Sequence, residues 1–194
     1  QIGTSYAVGV DGVGLLLVAL GVVLVPLAIL AAWREQDDDA EKLRHYLALT
    51  LVTAAFMTLI FAARDVFLFY VVFEAMLIPI YFMIGAFGGP QRRGAAVKFL
   101  LFSLAGGLVM LVAVIALFLQ GPGGAEGFLT ANLVEHLAAN PMPVTTERLL
   151  FLGFFLAFAI KAPLFPVHTW LPDAAQHAPA GTSTLLVGVL DKVG

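Results

Sequence analysis

Two ionisable residues, Glu74 and Lys161, lie inside long apolar runs, where the hydrocarbon core of a membrane is expected. A charged side chain at the centre of a spanning helix costs roughly 2.5–3.5 kcal/mol on insertion scales, so such residues generally serve a function. A carboxylate can accept a proton, and a desolvated lysine releases one readily. The two residues therefore predict proton-transfer chemistry inside a membrane.

Glu74 is placed too deep for its short side chain to reach water. It lies about nine residues into its run, which corresponds to roughly 13 Å along a helix. Pro79 follows five residues later. A helical proline lacks an N–H and clashes with the carbonyl four residues back, here that of Ala75. We expect a kink that leaves this polar carbonyl beside the turn of Glu74.

Lys161 lies about a dozen residues into its apolar run, near the expected midplane. Pro163 and Pro166 follow at once and predict a broken helix. Broken helices at membrane depth are tolerated only inside protein or against water-filled cavities. Burial disfavours the ammonium form of lysine and a nearby carboxylate favours it. The affinity of Lys161 for its proton would therefore depend on its distance from Glu74, and would be higher when the two are close.

Three further ionisable residues extend this pattern. Lys192 lies about ten residues into the last apolar run, with Asp191 directly before it. Neighbours on a helix point about 100° apart, so Asp191 need not be the partner of Lys192. His168 lies between Lys161 and Lys192 along the chain, and an imidazole can accept and pass on a proton near neutral pH. We predict a relay from Lys161 through His168 to Lys192.

Simpler interpretations stay open for each candidate. Glu74 could be a neutral carboxyl group in a helix interface, and Lys161 could extend to a membrane surface. His168 could be a hydrogen-bonded interfacial residue, and Asp191 could face lipid or end its helix. Lys98, at the start of its run, is most simply explained as a lysine that extends toward the surface.

A patch of small residues lies in the fourth apolar run. Ser103 and Gly107 are four residues apart, and Gly106 is adjacent. This spacing lets two membrane helices approach closely. We therefore predict a role in packing for the patch, not in chemistry.

Composition excludes several classes of protein. The chain has 194 residues, of which 61% are apolar and 12% charged, against about 25% charged in soluble domains. Its net charge is −3 and its ten Lys and Arg form no basic run, which argues against nucleic-acid binding. The sequence lacks cysteine and therefore disulfides, iron–sulfur thiolates and zinc–thiolate sites. The two histidines near the prolines, His168 and His177, do not have metal-ligand spacing.

Long apolar runs predict an all-α polytopic membrane protein, since about 20 apolar residues span a bilayer. A sixth run opens near Thr182 and reaches only about 13 residues. The chain also begins at Gln1 without an initiator Met. We expect both ends to belong to a longer protein. The spanning runs are 13–33, 45–63, 66–87, 95–119 and, interrupted by prolines, 149–170.

The connecting loops predict an orientation. Basic residues concentrate in loops 34–44 and 88–94, whereas the long loop 120–148 contains a single Arg and no Lys. By the positive-inside rule, the first two loops are cytoplasmic and the third is external. Residues 129–139 are predicted to form a short amphipathic helix at the outer surface.

Three motifs carry a family resemblance: FEAMLIPIYFMIG (73–85), KFLLFSLAGGLVMLVAVIALF (98–118) and FAIKAPLFPVHTWLPDA (158–174). They resemble the antiporter-like M chains of bacterial NADH–quinone oxidoreductase, the counterparts of chain 4 of mitochondrial complex I. The resemblance implies an antiporter-like bundle with two inverted five-helix repeats and a proline-broken helix. Residues 1–44 would then be an N-terminal spanning helix with a charged cytoplasmic loop. Residues 45–194 would be the first repeat, cut before its end.

The resemblance also implies a role for each candidate residue. Glu74 matches the glutamate that pairs with the lysine of the first broken helix, and Lys161 matches that lysine. Lys192 matches the central lysine of the next helix, and His168 a histidine between the two. The sequence departs from the family pattern at LPDAAQHAPAGTS (171–183), where a usual histidine is displaced by two positions.

The function implied is proton translocation within a respiratory NADH–quinone oxidoreductase of the bacterial inner membrane. This chain would hold no redox centre or cofactor; FMN, iron–sulfur clusters and quinone would belong to other subunits. Its partners would be neighbouring antiporter-like chains, other membrane subunits and the lipid bilayer. Three alternatives remain: a subunit of a sodium–proton antiporter, the membrane chain of an energy-converting hydrogenase, and a structural subunit with vestigial charges.

Overall fold

The computed structural model describes residues 3–35 and 39–194, and this part of the chain is helical and without β-strands. Part of the charged loop 34–44 lies outside the described residues. Short segments connect the helices, and a π-helical turn at Leu186–Leu190 separates the last two. The α-helices are α1 (Gly12–Glu35), α2 (Ala40–Ala62), α3 (Val66–Ala75), α4 (Leu77–Phe87), α5 (Arg92–Gln120), α6 (Thr130–Ala139), α7 (Val144–Lys161), α8 (Trp170–His177), α9 (Ala180–Leu185) and α10 (Asp191–Val193).

Four segments in the described part of the chain are long and apolar enough to cross a membrane, which confirms the first four predicted runs. Many large apolar side chains on them face outward, Leu16 and Val112 among them. The fifth predicted run corresponds to α7, which begins five residues earlier than the apolar stretch and carries Glu147 and Arg148 in its first turns. The four segments are Gly12–Trp33, Ala40–Ala62, Val66–Phe87 and Arg92–Gln120.

The third run is divided into α3 and α4 at Met76. Pro79 explains the division, because its nitrogen cannot donate to the carbonyl of Ala75. The N–H of Met76 still donates to the Val72 carbonyl at 3.0 Å, so the regular helical hydrogen bonding is interrupted only after this residue. The interruption therefore comes directly after the turn that carries Glu74.

Helix α5 lies at the centre of the bundle and packs against α3, α4, α7 and α8. Helix α2 packs against α1, α3 and α4, and α9 packs against α1. The Tyr46 hydroxyl of α2 shares a 2.8 Å hydrogen bond with the Thr182 hydroxyl of α9. This contact joins the second helix of the bundle to α9 near its end.

A buried aspartate fixes the start of α3. Asp65 is 0% exposed and caps the helix by accepting hydrogen bonds from the N–H groups of Phe67 and Leu68 at 3.0 and 2.9 Å. Its second oxygen accepts the Ser5 N–H at 2.9 Å, and the Thr4 hydroxyl donates to the first at 3.1 Å. One carboxylate thus joins the segment before α1 to the helix that carries Glu74.

Replacing Asp65 with alanine is expected to destabilise the protein by about 2 kcal/mol, because several buried donors lose their acceptor. The measurement is thermal unfolding of the full chain in detergent. Asp39→Ala is the matched control, since Asp39 caps α2 at an exposed position where water can replace it. Equal melting temperatures for the two variants would contradict this assignment.

Candidate functional site

The ammonium group of Lys161 lies in an aromatic environment inside the bundle. Lys161 is the last residue of α7 and is 1% exposed. Its Nζ lies 4.8 Å from the ring centroid of Phe73 on α3 and 5.8 Å from that of Phe99 on α5. The negative faces of aromatic rings attract a cation. Three helices thus form a site that can hold a charged lysine without enclosing it in an ion pair.

The chain leaves helical geometry immediately after Lys161. Leu164 donates its N–H to the Ala159 carbonyl at 2.8 Å, which leaves the Ile160 carbonyl without its usual helical donor. The indole Nε1 of Trp170, the first residue of α8, donates to that carbonyl at 2.8 Å. Trp170 is itself fully buried and its ring is 5.3 Å from that of Phe99. This bond satisfies a carbonyl at the interruption and fixes the start of α8 beside Lys161.

The carboxyl group of Glu74 lies against the bare backbone of Gly107 on α5. A Cβ atom at position 107 would overlap the carboxyl group of Glu74. Gly106, by contrast, faces α7, where its Cβ would lie 3.0 Å from Ile160. The predicted packing role of this patch therefore holds for Gly106, whereas Gly107 makes room for an ionisable side chain.

One face of α5 connects the two charged residues. Phe99, Ser103 and Gly107 follow each other at four-residue spacing, so they lie on one side of the helix. Phe99 contacts Lys161 and Gly107 contacts Glu74. Ser103 lies between these two positions along the helix face. Its hydroxyl is buried and has no hydrogen-bond partner in the described part of the chain.

Glu74 and Lys161 attract each other through space but do not form an ion pair within 4.0 Å. Polar groups that are too far apart for a direct hydrogen bond can be bridged by water. The pair predicted from the sequence is thus brought into one region, with a gap between its members.

Five buried side-chain polar atoms in the described residues lack a hydrogen-bond partner. They are carried by α3, α5, α7, the segment after α7, and α10. Buried polar atoms are nearly always satisfied by protein or by ordered water. These atoms give an otherwise apolar bundle several unsatisfied polar groups in its interior. The atoms are Glu74 Oε1, Ser103 Oγ, Lys161 Nζ, His168 Nδ1 and Asp191 Oδ1.

The other ionisable residues singled out in the sequence, His168, Lys192 and Asp191, lie in three different environments. His168 lies in the segment between α7 and α8, with its Nδ1 buried and its ring 5.8 Å from that of Phe165. Lys192 is exposed, and its Nζ donates to the Val187 carbonyl at 3.3 Å. Asp191, its neighbour, interacts electrostatically with Lys161.

Lys98 forms an ion pair that the sequence did not indicate. Its Nζ lies 2.6 Å from Oδ2 of Asp173 on α8, and both side chains are partly exposed. The pair joins the start of α5 to the helix that follows the interruption. Lys98 is therefore held by a partner and does not simply extend to the surface.

The sequence missed three residues of this site. Gly107 and Ser103 were assigned to packing, because glycine and serine at this spacing are typical of helix interfaces. Asp191 was left without a role. For Ser103 and Gly107, the available signal was their four-residue spacing, which places them on the same face of α5 as Phe99. For Asp191, the signal was an acidic residue inside an apolar run.

Residues 63–194 match the family model described as NADH:quinone oxidoreductase/Mrp antiporter, TM. The NADH-quinone oxidoreductase subunit M of Mycobacterium tuberculosis is 43% identical over 99% of this chain and 40% of its own length. The NAD(P)H-quinone oxidoreductase chain 4 2 of Trichodesmium erythraeum is 42% identical over 100% of this chain and 33% of its own length. This chain thus spans well under half of these relatives.

Two solved structures resemble the fold. A chain of respiratory complex I from Thermus thermophilus with bound NADH superimposes with a TM-score of 0.79 at 38% identity, over 99% of this chain and 38% of that chain. A chain of an archaeal membrane-bound sulfane sulfur reductase superimposes with a TM-score of 0.80 at 22% identity, over 96% of this chain and 28% of that chain. The second likeness concerns the fold alone.

Proposed function

This chain belongs to the NADH:quinone oxidoreductase/Mrp antiporter transmembrane family, and from this we propose that it is a proton-translocating membrane subunit of a respiratory NADH–quinone oxidoreductase. The names of its relatives support the choice of complex, since they are subunit M and chain 4 of such oxidoreductases. The chain covers only part of their length, so the proposal concerns one half of a longer path for protons.

The observation that carries the proposal is the buried Lys161, surrounded by rings and without a hydrogen-bond partner in the protein. A permanently charged, unpaired lysine inside a membrane bundle is strongly unfavourable. A lysine that gains and loses a proton, with a carboxyl group nearby and water within reach, avoids part of this cost. The arrangement fits a proton carrier better than a structural ion pair.

We infer a mechanism from the gap between Glu74 and Lys161. A proton on Lys161 is favoured while Glu74 is ionised and close. Movement of the two groups apart, or a charge change in a neighbouring subunit, would lower the affinity of Lys161 for its proton. The proton would then leave through water and His168 toward Lys192, and the Ser103 hydroxyl could bridge the acid and the base.

The remaining features of the proposal follow from the family. Electron transfer would occur in other subunits that hold FMN, iron–sulfur clusters and quinone, with no redox centre in this chain. The partners would be neighbouring antiporter-like chains and other membrane subunits. The membrane would be the bacterial inner membrane, with loops 34–44 and 88–94 cytoplasmic and loop 120–148 external.

A sodium–proton antiporter subunit is the second candidate, because the family model also describes Mrp antiporters. The same glutamate and lysine would then move ions without NADH or quinone. Proton transport that depends on sodium, and that persists without electron transfer, would favour this candidate. The third candidate, the membrane chain of an energy-converting hydrogenase, is distinguished from the other two by the identity of the soluble subunits that co-purify with the full chain.

The test uses the whole complex, purified with the full chain and reconstituted in liposomes. With NADH and a short-chain quinone, Glu74→Gln is expected to slow lumen acidification about fivefold, because glutamine cannot supply the charge that favours protonated Lys161. The readout is a pH-sensitive dye, with NADH oxidation followed in parallel. Glu135→Gln, at an exposed position on α6, is the matched control.

Wild-type acidification by Glu74→Gln would refute the proposed role of this chain. Assembly of each variant is checked by co-purification of the soluble subunits. Adding a sodium ionophore separates the two candidates, since it leaves a proton pump unchanged and collapses a sodium-coupled antiport.

A further inference from the structure

We propose that Asp191 is a proton-carrying residue that connects Lys161 to Lys192. This inference rests on the proposed function, because it adds a step to the same proton path. It gives a step between Lys161 and Lys192 to an aspartate in the last helix, whereas the sequence predicted only His168 between the two lysines.

The geometry of the last helix places Asp191 toward α7. Gly194 packs against the end of α7, where a Cβ on it would lie 2.6 Å from the Ala162 nitrogen and 2.9 Å from the Phe158 carbonyl oxygen. Helix α10, which contains Asp191, packs against α7. Ala162 directly follows Lys161, so this packing brings the segment that contains Asp191 to the end of α7 that carries Lys161.

The surroundings of Asp191 fit a proton carrier. Its Oδ1 is buried and has no hydrogen-bond partner. Two cations attract it, Lys161 from α7 and Lys192 from its own helix. Glu74 also attracts Lys161. The four groups thus form an alternating series of acid, base, acid and base: Glu74, Lys161, Asp191, Lys192.

The π-helical turn before Asp191 explains why the acid faces inward and the lysine outward. Its i→i+5 hydrogen bonding widens the turn and changes the rotation of the residues that follow. Lys192 is exposed and bonds to the Val187 carbonyl, five residues back, within that turn. Asp191 and Lys192 therefore face different sides of the same helix.

The proposed step is balanced in protons and charge. The N–H bond of the Lys161 ammonium breaks and an O–H bond forms on the Asp191 carboxylate, directly or through one water. Lys161 becomes a neutral amine and Asp191 a neutral acid. The Asp191 O–H then breaks as the neutral amine of Lys192 gains the proton, which leaves a carboxylate and an ammonium. A like-sized amide at position 191 cannot take part in either transfer.

The test uses the whole complex in liposomes with NADH and quinone. Asp191→Asn keeps the size of the side chain and is expected to slow acidification about fivefold, whereas Asp191→Glu is expected to keep at least about half of the wild-type rate. Asp39→Asn is the matched control, because asparagine caps a helix as well as aspartate does and Asp39 is exposed. If the Asn variant does not assemble, Asp191→Ser replaces it.

Each outcome decides the inference. Wild-type acidification by Asp191→Asn, alongside a slowed Glu74→Gln complex, would overturn the role of Asp191 and leave the proposed function standing. Wild-type rates in both variants would overturn both. A Glu variant as slow as the Asn variant would show that position 191 acts through size or packing and would also overturn the inference.

Discussion

Replacing Lys161 with methionine is expected to slow NADH-driven acidification about a hundredfold, because the path loses the base that binds and releases the proton. Methionine has a similar length and is apolar, so it fits between the rings of Phe73 and Phe99. Lys161 has no direct ion-pair partner among the described residues, so this replacement breaks no buried salt bridge. The loss would therefore appear in transport and not in assembly.

Two companion variants show what the lysine contributes. Lys42→Met removes a lysine from an exposed position on α2 and is expected to leave acidification unchanged. Lys161→Arg keeps the positive charge, but a guanidinium does not release its proton in proteins. It is expected to be as slow as the methionine variant. An arginine variant that pumps normally would reduce Lys161 to a fixed charge and contradict the relay.

Replacing Gly107 with alanine is expected to displace the carboxyl group of Glu74 and slow acidification about tenfold, since small misplacements of reacting groups are costly. The added methyl would occupy the space that the Glu74 carboxyl group fills. It would also separate α3 from α5 and lower the melting temperature in detergent. Gly94→Ala on the same helix is the matched control, because nothing lies within 4 Å of a Cβ at position 94.

A double variant tests whether Gly107 acts through Glu74. In a Glu74→Ala background, the space beside Gly107 is empty and the alanine methyl fits. We expect no further loss of transport and a higher melting temperature than for Gly107→Ala alone, which is non-additive behaviour between residues in contact. Additive losses would mean that Gly107 supports the bundle independently of the carboxyl group.

The site explains how an apolar bundle can hold several ionisable groups. Glu74 lies against bare helix backbone, Lys161 lies between aromatic rings, and Asp191 lies on α10, which packs against α7. None of the three has a hydrogen bond to a protein group. Separate sites for acid and base keep the charges attractive without fixing the proton in a closed ion pair. This arrangement suits a step in which the proton moves on.

The sequence by itself determined the class of the protein and predicted the two residues on which the proposed function rests. Apolar runs of sufficient length predict spanning helices, and an acid or a base within such a run is too costly to lack a function. Pro79, Pro163 and Pro166 predicted interruptions of the helices, because proline has no N–H to donate. These inferences need only the chain's own hydrogen bonding and the cost of transfer into lipid.

Only the tertiary structure decided which groups meet. That Gly107 makes room for Glu74, and that the Ser103 hydroxyl is buried, depends on how α5 is rotated against α3 and α7. That Asp191 has a buried oxygen while Lys192 is exposed depends on the helix rotation set by the π-helical turn before them. Contacts between helices arise from the packing of whole surfaces, and residues more than 80 positions apart, such as Glu74 and Lys161, carry no local signal of their distance.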